Sequence, residues 1–189
     1  AIFGYGSTGT PRVSLTNLVN SSGVVASDVT GVGTARNALA ATGYGGDKGL
    51  FGYGYGSSSY QSITNLISNS GVVASDTSGV GTARNYLAAS SYGGDKAIFG
   101  YGFTGSRVSM TNLVNNSGVV ASDVTGVGTG RSDLAAASYG GDKALFGYGT
   151  TGTRVSLTNL VSNLGVVASD TTGVGTARWG LAAAGYGTD

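Results

Sequence analysis

The sequence contains no cysteine, no histidine and no glutamate, and only one proline, one methionine and one tryptophan. Without cysteine no disulfide can form, and without cysteine or histidine the usual zinc sites and every nucleophile–histidine arrangement are excluded. No apolar run approaches the roughly 18 residues that a membrane-spanning helix needs, and no signal peptide is visible. We therefore expect no metal, no cofactor and no membrane association.

Charge is also scarce. Ten Lys and Arg residues balance nine Asp residues, which gives a net charge of +1, and the basic residues are spread along the chain rather than clustered. A nucleic-acid-binding surface would require a basic patch or stripe. We expect no nucleic acid partner.

What the chain does have is repetition. The string G-V-G-T-A-R ends at Arg36, Arg84 and Arg178, and G-V-G-T-G-R ends at Arg131, which gives a period of 47 to 48 residues. A fixed period of this size indicates one supersecondary unit used repeatedly. The 36 glycines recur at fixed places in this period, as tight turns would require. We treat the chain as a single repeat domain with repeats at 1–48, 49–96, 97–143 and 144–189, and interpret it as processed, engineered or cut from a longer array.

Each repeat contains four short segments of strand character. In the first repeat they are Ala1–Gly6, Val13–Val19, Gly23–Asp28 and Ala38–Tyr44. Period-2 alternation bounded by Gly, Ser, Asn and Asp is typical of strands, and G-G-D-K favours a tight hairpin turn. The alanine-rich segment could be helical by propensity, but about six residues make a marginal helix, so we favour a strand.

Four antiparallel strands per repeat predict an all-β fold made of β-propeller blades. The run T-A-R-x-x-L-A-A-A-x-Y-G-G-D-K-A-I-F-G-Y-G, followed by V-S-L-T-N-L-V, resembles the kelch repeat. In kelch blades a pre-strand arginine, a small-residue inner strand, a glycine pair and an aromatic-flanked second strand follow in this order. The units are also similar to tandem repeats in predicted phage and environmental bacterial proteins. The resemblance implies that the alanine-rich strand is innermost.

The number of blades in a closed ring stays open. One chain could form a four-bladed ring, with Leu181–Tyr186 pairing with Ala1–Gly6 to remove the free sheet edges. Two chains could form an eight-bladed ring, and a longer polymer is a further alternative. A β-solenoid or stacked fibre also suits glycine-rich repeated strands.

Two charged residue types occur once per repeat. They could line a central channel and hold an anion or a sugar, but identical placement in every repeat favours a structural contact between neighbouring blades. The arginines are Arg36, Arg84, Arg131 and Arg178, and the aspartates are Asp28, Asp76, Asp123 and Asp170.

Two other repeated polar residues are interpreted as structural. The aspartate of G-G-D-K (Asp47, Asp95 and Asp142) suits a turn, and one aspartate per loop is too few for calcium. The mid-strand asparagine, Asn17 and its equivalents, is expected to be a satisfied amide inside the blade.

Positions where the repeats differ are the more informative candidates for binding. Exposed aromatic side chains beside polar loops suit carbohydrate stacking or a protein contact. The candidate ligand-binding residues are Trp179, Tyr86, Tyr55, Phe103 and Asp133.

The function expected from these patterns is a non-enzymatic structural or interaction protein, such as a virion or surface appendage or an engineered repeat scaffold. The alternative is a multivalent carbohydrate-binding propeller, with one weak, lectin-like site per blade. We expect self-association as a homodimer or larger array, glycans as a further class of partner, and an extracellular or virion-surface location.

Overall fold

The computed structural model describes residues 1–186 and is all-β over that range. Neighbouring strands run antiparallel throughout. The strands are β1 (Ile2–Ser7), β2 (Arg12–Leu18), β3 (Ala40–Tyr44), β4 (Lys48–Gly52), β5 (Thr64–Ile67), β6 (Ala88–Tyr92), β7 (Lys96–Gly100), β8 (Thr111–Val114), β9 (Ala135–Tyr139), β10 (Lys143–Gly147) and β11 (Thr158–Val161). The prediction of an all-β protein is confirmed, and the alanine-rich segment does form a strand in three places.

The strands form four small sheets in chain order. Sheet 1 contains β1 and β2, sheet 2 contains β3–β4–β5, sheet 3 contains β6–β7–β8, and sheet 4 contains β9–β10–β11. Each three-stranded sheet takes its first strand from the end of one repeat and the other two from the next repeat. The predicted repeated antiparallel unit is therefore present, but its boundaries are offset from those of the sequence repeat.

The hairpin between the alanine-rich strand and the next strand follows from the G-G-D-K sequence. In sheet 2, Tyr44 lies opposite Lys48, and the turn between them places Gly45 and Gly46 at φ of 60° and 81°. Glycine adopts this left-handed conformation without steric cost. The short turn fixes the register, so that Ala41 lies opposite Phe51.

The third predicted segment is not a continuous strand. Gly23–Asp28 contributes only an isolated bridge, Val19 to Val25, with a second bridge from Thr16 to Val29 just beyond it. The side-chain amide of Asn17 donates to the carbonyl of Ala26, which occupies an acceptor on this segment. The predicted four-stranded blade is thus a sheet of two or three strands with a bridged outer segment.

Successive sheets pack on one another through aromatic side chains. Phe99 of sheet 3 is fully buried over Gly52 of sheet 2, where a Cβ atom would lie 2.5 Å from its ring. The ring of Phe99 also meets that of Tyr53 at 5.1 Å between centroids, in an edge-to-face arrangement. The alanine-rich strands β3, β6 and β9 contact each other in order, because small side chains allow close approach.

The series of sheets is open at both ends. Within residues 1–186, β1 pairs with β2 alone, and Leu181–Tyr186 is not in a strand. The predicted pairing of Leu181–Tyr186 with Ala1–Gly6 is therefore absent. The physical reason is position, because β1 packs against sheet 2 whereas Gly185 lies beside Ser138 of sheet 4. None of the residues described forms a helix long and apolar enough to cross a membrane.

Candidate functional site

A buried arginine joins each pair of neighbouring sheets, and Arg84 shows the arrangement. Its side chain is fully buried between sheets 2 and 3. The guanidinium stacks 4.2 Å from the ring centre of Tyr53, while Nε donates to the carbonyl of Tyr101 at 2.8 Å. Nη1 donates to the carbonyl of Thr82 at 3.0 Å and Nη2 to Oδ1 of Asn112 at 2.6 Å. The buried charge is thus held by an aromatic face and three acceptors.

Asp123, whose side chain is partly exposed, completes the contacts around Arg84. We call this set of contacts between two sheets an arginine joint. Asp123 accepts hydrogen bonds from the backbone N–H and the hydroxyl of Thr82, the latter at 2.6 Å, and from Nδ2 of Asn112 at 2.9 Å. Its Oδ1 lies 3.8 Å from Nη1 of Arg84. Because Thr82 and Asp123 belong to consecutive repeats, these bonds tie neighbouring units together.

The same joint occurs three times. The first is formed by Arg36 with Tyr5, Asn65, Asp76 and Thr34, and the third by Arg131 with Tyr101, Asn159, Asp170 and Thr129. All three arginines and the asparagines that they meet are fully buried. In the third joint, Nε of Arg131 is buried without a hydrogen-bond partner.

The electrostatics of the joint follow from burial and charge. Burial lowers the pKa of Arg84, and the neighbouring Tyr53 and Asp123 oppose this shift. Burial also raises the pKa of Asp123, but hydrogen bonds from Thr82 and Asn112 and the charge of Arg84 outweigh it and hold that pKa below its usual range. Burial raises the pKa of Tyr53 to about 12 despite the nearby arginine.

Each end of the series carries half of a joint. At the end of the chain, Arg178 stacks 4.2 Å from the ring centre of Tyr148 and donates to the carbonyl of Thr176, but its side chain is exposed. At the start, Asn17 keeps its bonds to Ala26 and Asp28 without an arginine at its Oδ1 among the described contacts.

A cavity of about 670 Å³ lies between sheets 1 and 2. Ala1, Ile2 and Leu18 line one side, and Ala41 and Leu50 line the other. Sheet 1 has no alanine-rich strand, whereas each later sheet has one, β3, β6 or β9, beside its central strand. The cavity is mostly apolar and lies where sheet 1 lacks such a strand.

The predicted ligand-binding aromatics do not converge on one site. Tyr55 and Phe103 lie on either side of Tyr60, with ring centroids 5.3 and 6.2 Å from it, and Arg12 and Arg107 cover the outer faces. Among the described residues, this cluster is formed by the second and third repeats, because the first and fourth have Ser7 and Thr150 at the positions of Tyr55 and Phe103. It is a single surface feature rather than one feature per repeat.

Tyr86 and Asp133 belong to a separate backbone ladder. The N–H of Tyr86 donates to Ala38, that of Asp133 donates to Tyr86, and that of Gly180 donates to Asp133. All four residues have φ between 51° and 65°. The structure places Trp179 beside the end of this ladder, with 53% of its surface exposed, so that it belongs to the open end of the series.

The aspartates of the G-G-D-K turns lie at the surface. Each accepts a hydrogen bond from an asparagine of the same sheet, such as Asn69 to Asp47 at 3.0 Å, and lies near its neighbouring lysine. Within residues 1–186, no cluster of three or more Asp side chains that could hold a metal ion is present.

Sequence reasoning identified the arginine and aspartate of the joint but not the tyrosine and threonine. Both follow the same period, since the tyrosine of F-G-Y-G and the threonine of G-V-G-T recur in every repeat. That periodicity was the available signal. It could not show that the tyrosine faces the arginine of its own sequence repeat, because that contact spans two sheets.

Comparisons of the chain with protein-family models and with curated proteins found no match.

Proposed function

We propose that this protein is a non-enzymatic structural or interaction protein, a repeat scaffold suited to a virion or surface appendage or to an engineered array. The observation that carries the proposal is the buried joint repeated around Arg36, Arg84 and Arg131. Its charged and amide groups bond to neighbouring sheets, so that they are committed to packing. A buried arginine is costly to desolvate, and in these joints its bonds to fixed acceptors disfavour any other arrangement of neighbouring units.

The finer fold that we propose is a kelch-like β-propeller in which more than one chain contributes to the closed ring. Contact between the successive alanine-rich strands β3, β6 and β9 supports this arrangement, because inner strands of neighbouring blades approach most closely near an axis. The open series of sheets in a single chain favours the two-chain or longer assembly over the one-chain ring. A straight stack of sheets is the alternative that a measured assembly would distinguish.

Replacement of Arg84 tests the structural role. Arg84→Met keeps much of the side-chain volume but leaves Oδ1 of buried Asn112 unpaired and removes the cation facing Asp123. We expect the free energy of unfolding to fall by about 3 kcal/mol, measured by urea unfolding followed by far-UV circular dichroism.

The matched control is Arg154→Met, which removes an exposed arginine of the same chain and is expected to change stability by less than about 0.5 kcal/mol. Equal stability of Arg84→Met and the wild type would contradict the structural role. A catalytic turnover that one substitution abolishes while the fold stays intact would contradict the non-enzymatic assignment.

A second candidate function is carbohydrate binding, favoured by Tyr86, which is 48% exposed, and by the half-buried cluster of Tyr55, Tyr60 and Phe103. Aromatic rings at a surface can stack on sugar rings. The repeats supply their own control residues, because Ser7, Thr150 and Ala38 occupy the equivalent positions of Tyr55, Phe103 and Tyr86.

The test is a glycan array probed with the wild type and with the triple variant Tyr55→Ser, Phe103→Thr and Tyr86→Ala. Carbohydrate binding predicts a signal that the variant loses by at least tenfold while its melting temperature stays close to the wild type. Absence of binding to any glycan, or equal binding by both proteins, would rule out this candidate site.

A further inference from the structure

We propose that the two open ends of this protein bind each other head to tail in a second copy, with Leu181–Tyr186 of one copy added as a strand to β1 of the next. This deepens the proposed scaffold function and rests on it. Each end carries one half of the residues that form an internal joint. The contacts between sheets 2, 3 and 4 therefore show which partner each end lacks.

The cavity between sheets 1 and 2 is the space into which this segment fits. At the next interface the alanine-rich strand β3 fills the corresponding space, and Tyr44 packs beside Gly118, where a Cβ would lie 2.9 Å from its ring. At the cavity, Leu18 lies beside the equivalent Gly71 and no alanine-rich strand is present in sheet 1. Tyr186, the equivalent of Tyr44, is 95% exposed at the other end.

The register of the added strand follows from sheet 2. There β3 pairs with β4 so that Ala41 faces Phe51 and Thr42 faces Leu50. The equivalent pairs across two copies are Ala183 with Phe3 and Ala184 with Ile2. Because β1 pairs on one side only, its other edge offers the free backbone groups that strand addition uses.

An aromatic anchor fits the same docking. Phe3 is 62% exposed, whereas its equivalents Phe51, Phe99 and Phe146 are at most 4% exposed. Each of these buried rings sits on a glycine of the preceding sheet and against a tyrosine, as Phe146 does on Gly100 and Tyr101. The matching niche at the far end consists of Gly147 and Tyr148, where the atom nearest to a Cβ on Gly147 would be Thr158 Cγ2 at 3.4 Å.

The polar half-joints are complementary as well. By analogy with Arg84, the exposed Arg178 of one copy would donate to Oδ1 of Asn17 in the next. By analogy with Thr82 and Asp123, Thr176 would donate to Asp28. By analogy with the Arg84–Asp123 ion pair, Arg178 would also lie near Asp28, so that opposite charges meet and each missing partner at one end is present at the other.

The occupant that we assign is a second copy rather than the chain's own terminal segment. That segment already lies against Ser138 of sheet 4, while the cavity is bordered by sheets 1 and 2. A head-to-tail interface of this kind closes into a ring or extends into a fibre, depending on the rotation per subunit.

Light scattering with two end-specific variants tests the proposal. Phe3→Asp changes the end formed by sheet 1, which we call the head, and Arg178→Asp changes the end beyond sheet 4, which we call the tail. Both residues are exposed in the single chain, so that both variants are expected to fold. We expect the wild type to exceed the monomer mass of 18.5 kDa, and each variant alone to associate roughly a hundredfold more weakly.

Mixing the two variants gives the sharper result. The intact head of Arg178→Asp should bind the intact tail of Phe3→Asp, which yields a 1:1 complex of about twice 18.5 kDa that cannot grow further. The controls are Val119→Asp, which changes an exposed apolar residue, and Arg154→Asp, which changes an exposed arginine, both away from the ends. These two variants should associate like the wild type. A wild type that stays at 18.5 kDa at millimolar concentration overturns the proposal.

A cysteine pair distinguishes a second copy from self-closure. The chain has no native cysteine, so Ile2→Cys with Ala184→Cys in one chain forms disulfides only between the predicted partners. Oxidation should give a covalent dimer if two copies close a ring, or a ladder of larger covalent multimers if the assembly is a fibre, on a non-reducing gel. A cross-linked monomer, or no cross-link, would overturn the assignment. If the copies do not associate but Arg84→Met still lowers the stability, the head-to-tail proposal fails and the scaffold role stands. The two proposals can therefore fail independently.

Discussion

At the residue scale, the molecule depends on buried arginines that donate hydrogen bonds to acceptors where two neighbouring sheets meet. Arg84 is surrounded by an aromatic face, two carbonyl groups and one amide, with a carboxylate just beyond. Five donors in a planar fork suit this set, whereas a lysine would supply a point charge. The choice of arginine in every repeat thus has a geometric cause.

The aspartate of each joint makes stability depend on acid pH. Because the folded pKa of Asp123 lies below its ordinary value, its contribution is present above about pH 4 and is lost as pH falls through the folded pKa. The same direction holds for Asp76 and Asp170. We expect the urea midpoint to fall as pH is lowered from 5 to 2.5.

Two variants assign this acid dependence. Asp123→Asn should be less stable at pH 7 and should show a shallower decline at acid pH, because one of the three carboxylates is gone. Thr82→Val removes the hydroxyl that donates to Asp123, so the folded pKa moves towards its ordinary value, and the acid-dependent loss of stability should be smaller and should end at a higher pH. An unchanged pH profile in both variants would refute the assignment.

At the element scale, a glycine on the central strand of each sheet sets the spacing to the next sheet. Gly100 lies under Phe146, and a Cβ there would lie 2.5 Å from the ring. We expect Gly100→Ala to lower the free energy of unfolding by about 2 kcal/mol, since the ring or the sheet must shift. Chemical denaturation of dilute protein measures this change.

The matched control is Gly147→Ala, the same substitution in the last sheet. There the nearest atom to a Cβ would be 3.4 Å away, and no described phenylalanine covers the glycine. The variant should keep the stability of the wild type and yet weaken head-to-tail association, because the niche for Phe3 would be filled. Equal destabilisation by both alanines would contradict the role of the ring.

Elements were predictable where a local pattern decides them. The alternation of Val13–Val19, the G-G-D-K turn and the alanine-rich strand each carry a local signal, and the corresponding strands and hairpins are present. The third segment, Gly23–Asp28, was not predictable, because its pairing is limited by a side-chain bond from Asn17 to Ala26 that alternation does not reveal.

At the scale of the whole molecule, the repeat showed that equivalent units pack on one another but not how the series ends. Closure depends on the rotation between sheets, which no residue pattern encodes directly. The same limit applies to the candidate site. The period identified the charged residues of the joint, whereas the partnership of Arg84 with the Tyr53 ring depends on the packing of two sheets.

The three arginine joints also determine how the protein would bear mechanical load. A force that pulls the first and last sheets apart passes through the joints in series, and each joint resists it with nearly the same contacts. The third joint lacks one of these bonds, because Nε of Arg131 has no hydrogen-bond partner, so rupture would begin between sheets 3 and 4. An assembly of many such chains would extend stepwise under tension, one sheet at a time.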